Sequence, residues 1–191
     1  MRRSLGIDEG KQPKVDVMRM RRRHLRGVMA IERQVYPRPW SPNLFIAEMN
    51  EDENRAYFVA KVDRELVGYA GMICYGEEAH VTTIAVDPRW HRNKIGTRLM
   101  YELVSTAIDM GARAVSLEVR VSNWGAQRMY GEFGFRPVGV RKNYYQEIGE
   151  DALIMWVDDV QSAQYLDRMG DIIDDVPEGV RPAAATGPGT A

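Results

Sequence analysis

The chain has 191 residues, 45% of them apolar and 28% charged, and its 26 Lys and Arg against 27 Asp and Glu leave a formal net charge of −1. That is the size and composition of one globular domain with tails, and the charge argues against a nucleic-acid binder held by bulk electrostatics. A single cysteine, Cys74, excludes an internal disulfide, and three scattered histidines, His24, His80 and His91, give poor support to a metal cluster, so no metal is expected.

Residues 1–14 read as a flexible tail: they are basic, and no apolar stretch of a secretory leader follows Arg2 and Arg3. No run approaches the ~20 apolar residues of a membrane span. The expectation is therefore a cytoplasmic protein with no membrane partner and no direct nucleic-acid contact. Val15 to Met20 reads as a short strand, and Leu25, Met29, Ile31 and Val35 as the apolar positions of a first helix. Pro37 and Pro39 make Tyr36 to Trp40 a loop. Ser41-Pro42 supplies an N-cap with Pro at the first helical position, opening a helix through Phe45, Ile46 and Met49. Arg55 to Val62 and Leu66 to Tyr75 form a hairpin, and His80 to Val86 is a further strand ended by Asp87-Pro88. Ile95, Leu99, Leu103 and Ala107 share one face of a long helix that stops at Gly111. A strand over Ala114 to Val121, a helix from Asn123 to Phe133 and strands near Val138 to Tyr145 and Ala152 to Val157 complete the pattern. The order β-α-α-β-β-β-α-β-α-β-β implies one α/β (α+β) domain, a mixed central sheet flanked by helices, over residues 15–159. Residues 160–191 are a C-terminal extension, mostly disordered, with a helix possible over Val160 to Met169.

The strongest local pattern runs from Thr83 to Leu99. A strand ends at Asp87-Pro88, a basic loop His91-Arg92-Asn93-Lys94 follows, and Gly96 opens the long helix. The unpaired N–H groups of a helix start and the positive end of its dipole make an anion site, to which Arg92, Lys94 and Arg98 add full charges. A pyrophosphate suits it, but the glycine spacing is that of neither a P-loop nor a dinucleotide fingerprint.

On these residues the chain resembles the GCN5-related N-acetyltransferase (GNAT) superfamily, whose acetyl-CoA motif reads Gln/Arg-x-x-Gly-x-Gly/Ala after a strand ending in Val-Asp-Pro. His91 stands at the Gln/Arg position, Lys94 at the first glycine and Gly96 at the second. Lys94 either narrows the approach of backbone to pyrophosphate or adds a phosphate contact. Leu117-Glu118-Val119-Arg120-Val121-Ser122-Asn123, then Tyr130 and Gly134-Phe135, resemble the signature of the ribosomal-protein alanine N-acetyltransferases of RimI type. Tyr36-Pro37, Pro39-Trp40-Ser41 and Tyr144-Tyr145 extend the likeness, which spans about residues 15–158.

Strand alternation puts Glu118 on a polar face, where an ion pair with a neighbour such as Arg120 is one role open to it. The resemblance implies another: Glu118 as the base that takes a proton from the attacking amine. An α-amine, with a pKa near 7.7 to 8.0, gives that proton up more readily than a lysine near 10.4. Asn123 fits a helix N-cap, and Tyr130 lies two turns further on the same face, suited to core packing. The resemblance adds a coenzyme contact for Asn123 and makes Tyr130 the acid that protonates the departing thiolate. By the same resemblance Ile84, Ala85 and Val86 pair with pantetheine, and His91, Arg92, Asn93, Lys94, Ile95, Gly96 and Thr97 hold the pyrophosphate; Tyr36, Trp40, Tyr144 and Tyr145 either line the acceptor groove or pack, and loop placement favours a substrate role for Tyr36 and Trp40.

The resemblance thus implies an acyl-CoA N-acyltransferase fold and an acetyl-CoA-dependent N-α-acetyltransferase. Its acceptor would be a protein N-terminus, a ribosomal-protein alanine foremost. Acetylation of a lysine or small amine, and acyl-CoA sensing without turnover, are the alternatives.

Overall fold

The computed structural model describes residues 13–51 and 53–180. Seven strands, β1 (Val15–Arg19), β2 (Arg55–Val62), β3 (Glu65–Tyr75), β4 (Glu78–Val86), β5 (Ala114–Arg120), β6 (Arg136–Tyr145) and β7 (Glu150–Val157), form one sheet in the order β1-β2-β3-β4-β5-β7-β6. All neighbours are antiparallel except β4 and β5. A parallel pair needs a crossover, which α3 (Ile95–Asp109) supplies. The mixed sheet expected from the alternation of patterns is thus present.

Burial follows the two-residue period of the strands. In β2 the side chains of Ala56, Phe58, Ala60 and Val62 join the core under α3, whereas Tyr57 and Val59 join a second core with Val28, Ile31 and Phe45. The second core lies beneath α1 (Leu25–Val35) and α2 (Pro42–Asn50). Ser41 caps α2 as its position before Pro42 foretells, Oγ accepting from the amide of Leu44 at 3.1 Å. α1 packs on β3 and β4 and α2 on β2. On β5, Val115, Leu117 and Val119 face the α3 core, so Ser116, Glu118 and Arg120 point to the other side.

α4 (Trp124–Glu132) brings Tyr130 and Phe133 to the α3 core. Asn123 is its N-cap, with Oδ1 accepting from the amide of Ala126 at 3.1 Å. The C-terminal region departs from the expected loose extension. Residues 163–174 form α5, capped by Ser162, and Val160, Tyr165, Met169, Val176 and Val180 are buried. The physical reason is legible: Tyr165, Met169, Ile172 and Val176 recur at helical spacing. The segment ends against the start of the fold, the Val180 amide donating to Pro13 O at 3.0 Å and Lys14 bridging Gly179. Of the expected tails, 1–14 and 160–191, residues 1–12 and 181–191 lie outside the described residues.

Candidate active site

The defining feature is a parting of strands. β4 and β5 are in register only from Glu78↔Ala114 to Val81↔Leu117. Beyond that point β4 stays paired with β3 as far as Val86↔Gly68, and β5 with β7 as far as Arg120↔Ala152, but not with each other. A gap therefore opens through the sheet, flanked by Thr82 to Val86 on one side and by Glu118 to Arg120 on the other. Backbone groups along such an edge are available to an extended ligand. Ile84, Ala85 and Val86, expected to pair with pantetheine, form this edge.

Glu118 is the first residue past the last paired position. Its carboxylate is 8% exposed, with Oε2 at 3.0 Å from His80 Nε2 and Oε1 at 3.2 Å from Arg141 Nη1. The hydrogen bond from His80, opposed by burial and aided by the charges of His80 and then Arg141, holds its pKa below the ordinary carboxylate value. Glu118 is thus ionised at neutral pH. Its partners are not the neighbour Arg120 suggested by sequence. Arg120 instead lies over the rings of Tyr145, at 5.2 Å, and Tyr36, at 6.0 Å. His80 Nδ1 is 2.9 Å from Ser116 Oγ, which also reaches Ala79 O at 3.4 Å. Sequence reasoning missed His80, Ser116 and Arg141; the alternation in β4 and β5 puts His80 and Ser116 on Glu118's face, but their pairing follows from the register.

Tyr130 approaches from the α4 side. It is 4% exposed, with its ring 6.0 Å from that of Phe135. Burial, then the nearby hydroxyls of Tyr36 and Tyr145, raises its pKa well above the ordinary phenol value, so it keeps its proton. Tyr145, pushed up to about 12 by burial foremost, also senses Tyr36 and Glu118. Tyr145 is thus an electrostatic neighbour of Glu118 and of Tyr36, and Tyr36 and Tyr145 are neighbours of Tyr130. Tyr36 donates its hydroxyl to Ile84 O at 3.0 Å. Tyr144 packs edge-on against Tyr145 with centroids 5.1 Å apart and is partly exposed. Trp40, for which groove lining and packing were both open, packs partly buried against the second core, its ring 5.2 Å from Phe45 and its amide donating to Glu32 Oε1 at 2.8 Å.

At the start of α3, Arg92 (φ 68) and Lys94 (φ 54) are both left-handed. Lys94 therefore keeps the backbone shape that a glycine adopts freely, at a cost of roughly 1–2 kcal/mol. It is the N-cap of α3 and gives no side-chain cap, as its ammonium cannot accept. Lys94 Nζ instead lies 3.5 Å from Glu132 and 3.8 Å from Asp175, beside a cleft of about 600 Å³ between α4 and α5. Asn93 braces the loop, donating to Trp90 O and His91 O at 3.1 and 3.2 Å. His91 folds back with Nε2 at 3.1 Å from Val86 O. Ile95 and Thr97 are buried, and a Cβ at Gly96 would stand 3.2 Å from Met129 Sδ. This left-handed loop before an uncapped 15-residue helix, with a glycine at its first turn, fits a diphosphate ester. Among the described residues no group of three or more His, Cys, Asp or Glu is placed to hold a metal, and no helix is long and apolar enough to cross a membrane.

Comparison with known proteins agrees with this geometry. The model of the acetyltransferase (GNAT) family matches residues 25–135. A Bacillus subtilis relative is 40% identical over 144 residues, 75% of this chain and 95% of its own length. The N-alpha-acetyltransferase RimI of Mycobacterium tuberculosis is 40% identical over 121 residues, 61% of this chain and 74% of its own. The crystal structure of the ribosomal-protein-S18-alanine N-acetyltransferase from Escherichia coli superposes with a TM-score of 0.68 at 28% identity, covering 76% of this chain and 94% of that one.

Proposed function

This chain belongs to the acetyltransferase (GNAT) family, and from that premise we propose that it transfers the acetyl group of acetyl-CoA to the free N-terminal amine of a protein, a ribosomal-protein alanine foremost. The observation that carries this reading is the gap between β4 and β5 with Glu118 ionised at its edge. The relatives bearing N-alpha-acetyltransferase names support the choice of an α-amine over a lysine.

Acetyl-CoA would supply an activated thioester. In this reading the loop Arg92 to Gly96 and the start of α3 hold its diphosphate, with Asn93 fixing the loop, and the free edge Ile84 to Val86 pairs with the amide-bearing arm. Glu118 receives a proton from the incoming ammonium group, directly or through water, leaving a neutral amine as nucleophile. As the C–N bond forms and the C–S bond breaks, Tyr130, protonated across the neutral range, gives its hydroxyl proton to the departing sulfur, and the second proton released by the nitrogen restores the phenol through water. Tyr36, Tyr144 and Tyr145 border the acceptor's path on the open face of β5. The rest of the rate enhancement is positional, since two substrates held end to end in one gap react as a single unit.

The test is mass spectrometry after incubation with acetyl-CoA and a ribosomal-type peptide bearing a free N-terminal Ala and an internal Lys, beside its N-blocked twin. The expected product is a single acetyl group on the free N-terminus. Acetylation of the blocked peptide would move the acceptor to lysine, and coenzyme binding without any product would favour a sensor.

A further inference from the structure

Three cations stand at the start of α3, and the structure deals with each differently. Arg92 is exposed and makes no ion pair among the described residues. Arg98, one turn into the helix, donates from Nη2 to Pro177 O at 2.5 Å. Lys94 reaches two carboxylates, Glu132 Oε2 at the end of α4, 3.5 Å away, and Asp175 Oδ2 at the C-cap of α5, 3.8 Å away. α5 is seated on α4 by Arg168, which donates to Glu132 O at 3.2 Å. Asp175 lies beyond residues 25–135, the stretch that the family model matches, so this partner of Lys94 belongs to the chain's own C-terminal segment.

A left-handed residue carrying a Cβ is strained, and glycine would spare the strain, so what the lysine adds at this position is its ammonium group. In the free protein that charge is answered from within. The two pairs are long and open to solvent, Asp175 being 80% exposed, and such pairs are weak and readily exchanged. A diphosphate at the first turn of α3 would sit beside Lys94, and phosphate oxygens form shorter, charge-assisted bonds to an ammonium. The cleft that Lys94 borders is lined by Glu132, Asp167, Asp171 and Asp175, with Arg168 as its other cation, so it stays negative when Lys94 turns away. Protein carboxylates and coenzyme phosphates thus compete for one cation.

We propose that Glu132 and Asp175 set the affinity for the coenzyme: they hold Lys94 in the free protein, Lys94 exchanges them for the diphosphate on binding, and the exchange weakens the hold on the coenzyme. This rests on the reading that the loop Arg92 to Gly96 holds the diphosphate. Acetyl-CoA and CoA carry the same diphosphate, so both are held less tightly by the same factor. The return of Lys94 to its carboxylates then favours departure of the spent coenzyme.

The experiment measures the Kd of CoA and of inorganic pyrophosphate by isothermal titration. The proteins are wild type, Glu132→Gln, Asp175→Asn, Lys94→Gln, each carboxylate variant combined with Lys94→Gln, and Arg92→Gln as a check on the loop. Urea midpoints of the free proteins show that each variant is folded. Glu132→Gln and Asp175→Asn should each bind CoA about two- to five-fold more tightly, and pyrophosphate in parallel. Lys94→Gln should bind both several-fold more weakly, and on that background the carboxylate substitutions should change neither Kd. Unchanged or weaker CoA binding in both carboxylate variants would overturn the proposal. Equal tightening with Lys94 present and absent would overturn it too, since the carboxylates would then act as a general repulsive field. If Arg92→Gln and Lys94→Gln both bind CoA as wild type does, the loop is not the diphosphate site, and the reading beneath the proposal falls with it.

Discussion

The hydroxyl of Tyr36 donates to the carbonyl oxygen of Ile84 at 3.0 Å, joining the loop after α1 to the free edge of β4. Thr83 Oγ1 lies within 3.5 Å of the same hydroxyl, and Arg120 lies over the same ring. One side chain thus ties the loop after α1 to the edge of β4 that faces the gap. Tyr36→Phe keeps the ring and removes the tie. A stability loss of about 1 kcal/mol is expected in urea melts, with a several-fold rise in KM for the peptide and little change in coenzyme affinity. An unchanged peptide KM would mean that the loop is held by packing alone.

Tyr130→Phe tests the acid role proposed for Tyr130. The ring is buried beside Phe135, so a phenylalanine fits and the fold should be undisturbed. If the hydroxyl donates to the leaving sulfur, kcat falls roughly 10²-fold or more while coenzyme binding persists. Isothermal titration with CoA and steady-state kinetics on the same preparation separate the two effects. Wild-type turnover in this variant would remove Tyr130 from the chemistry.

Lys94 offers a conformational test. Its φ of 54° is a position where a Cβ is strained. Lys94→Gly and Lys94→Ala both delete the contacts to Glu132 and Asp175 and differ only in that strain and in the freedom of the unfolded chain. The glycine variant should be the more stable of the two by about 1 kcal/mol. Equal midpoints and slopes in urea would show that the loop relaxes out of the left-handed region when the lysine is lost.

Much of this fold is legible in the sequence, and the parts that are not have a common cause. The elements from Val15 to Val157 follow from periodicity and stop signals, as at Ser41-Pro42 and Gly134, and Glu118 was singled out by the pattern around it. Its partners were not, because residues two apart on a strand stand further apart than residues facing each other across strands. Arg120 is near Glu118 in sequence, yet His80 and Arg141, 38 and 23 positions away in the chain, supply the ion pairs. The same holds for Trp40. Its loop position suggested a role at the surface, whereas the neighbouring Phe45 offered its ring a buried partner. The helix over residues 163–174 carried its own apolar period, but the Pro- and Gly-rich sequence after it suggested a longer tail.

Glu32 supplies a prediction in which the sign of a pH effect can be worked out. It is 2% exposed; Oε1 accepts the Trp40 amide at 2.8 Å, while Oε2 is buried with no hydrogen-bond partner. Burial, the largest influence, raises its pKa above the ordinary carboxylate value despite the opposing hydrogen bond from Trp40. A carboxyl whose pKa is higher folded than unfolded favours the native state while protonated, and that contribution is lost as pH rises through the folded value. At neutral pH the ionised group is therefore a burden on the fold. Glu32→Gln retains an oxygen for the Trp40 amide and carries no charge. The variant should melt higher than wild type at pH 7 to 8, and the difference should shrink towards pH 4. A gap that widens as the pH falls would mean that the buried carboxylate is stabilised as an anion, the opposite of what its environment implies.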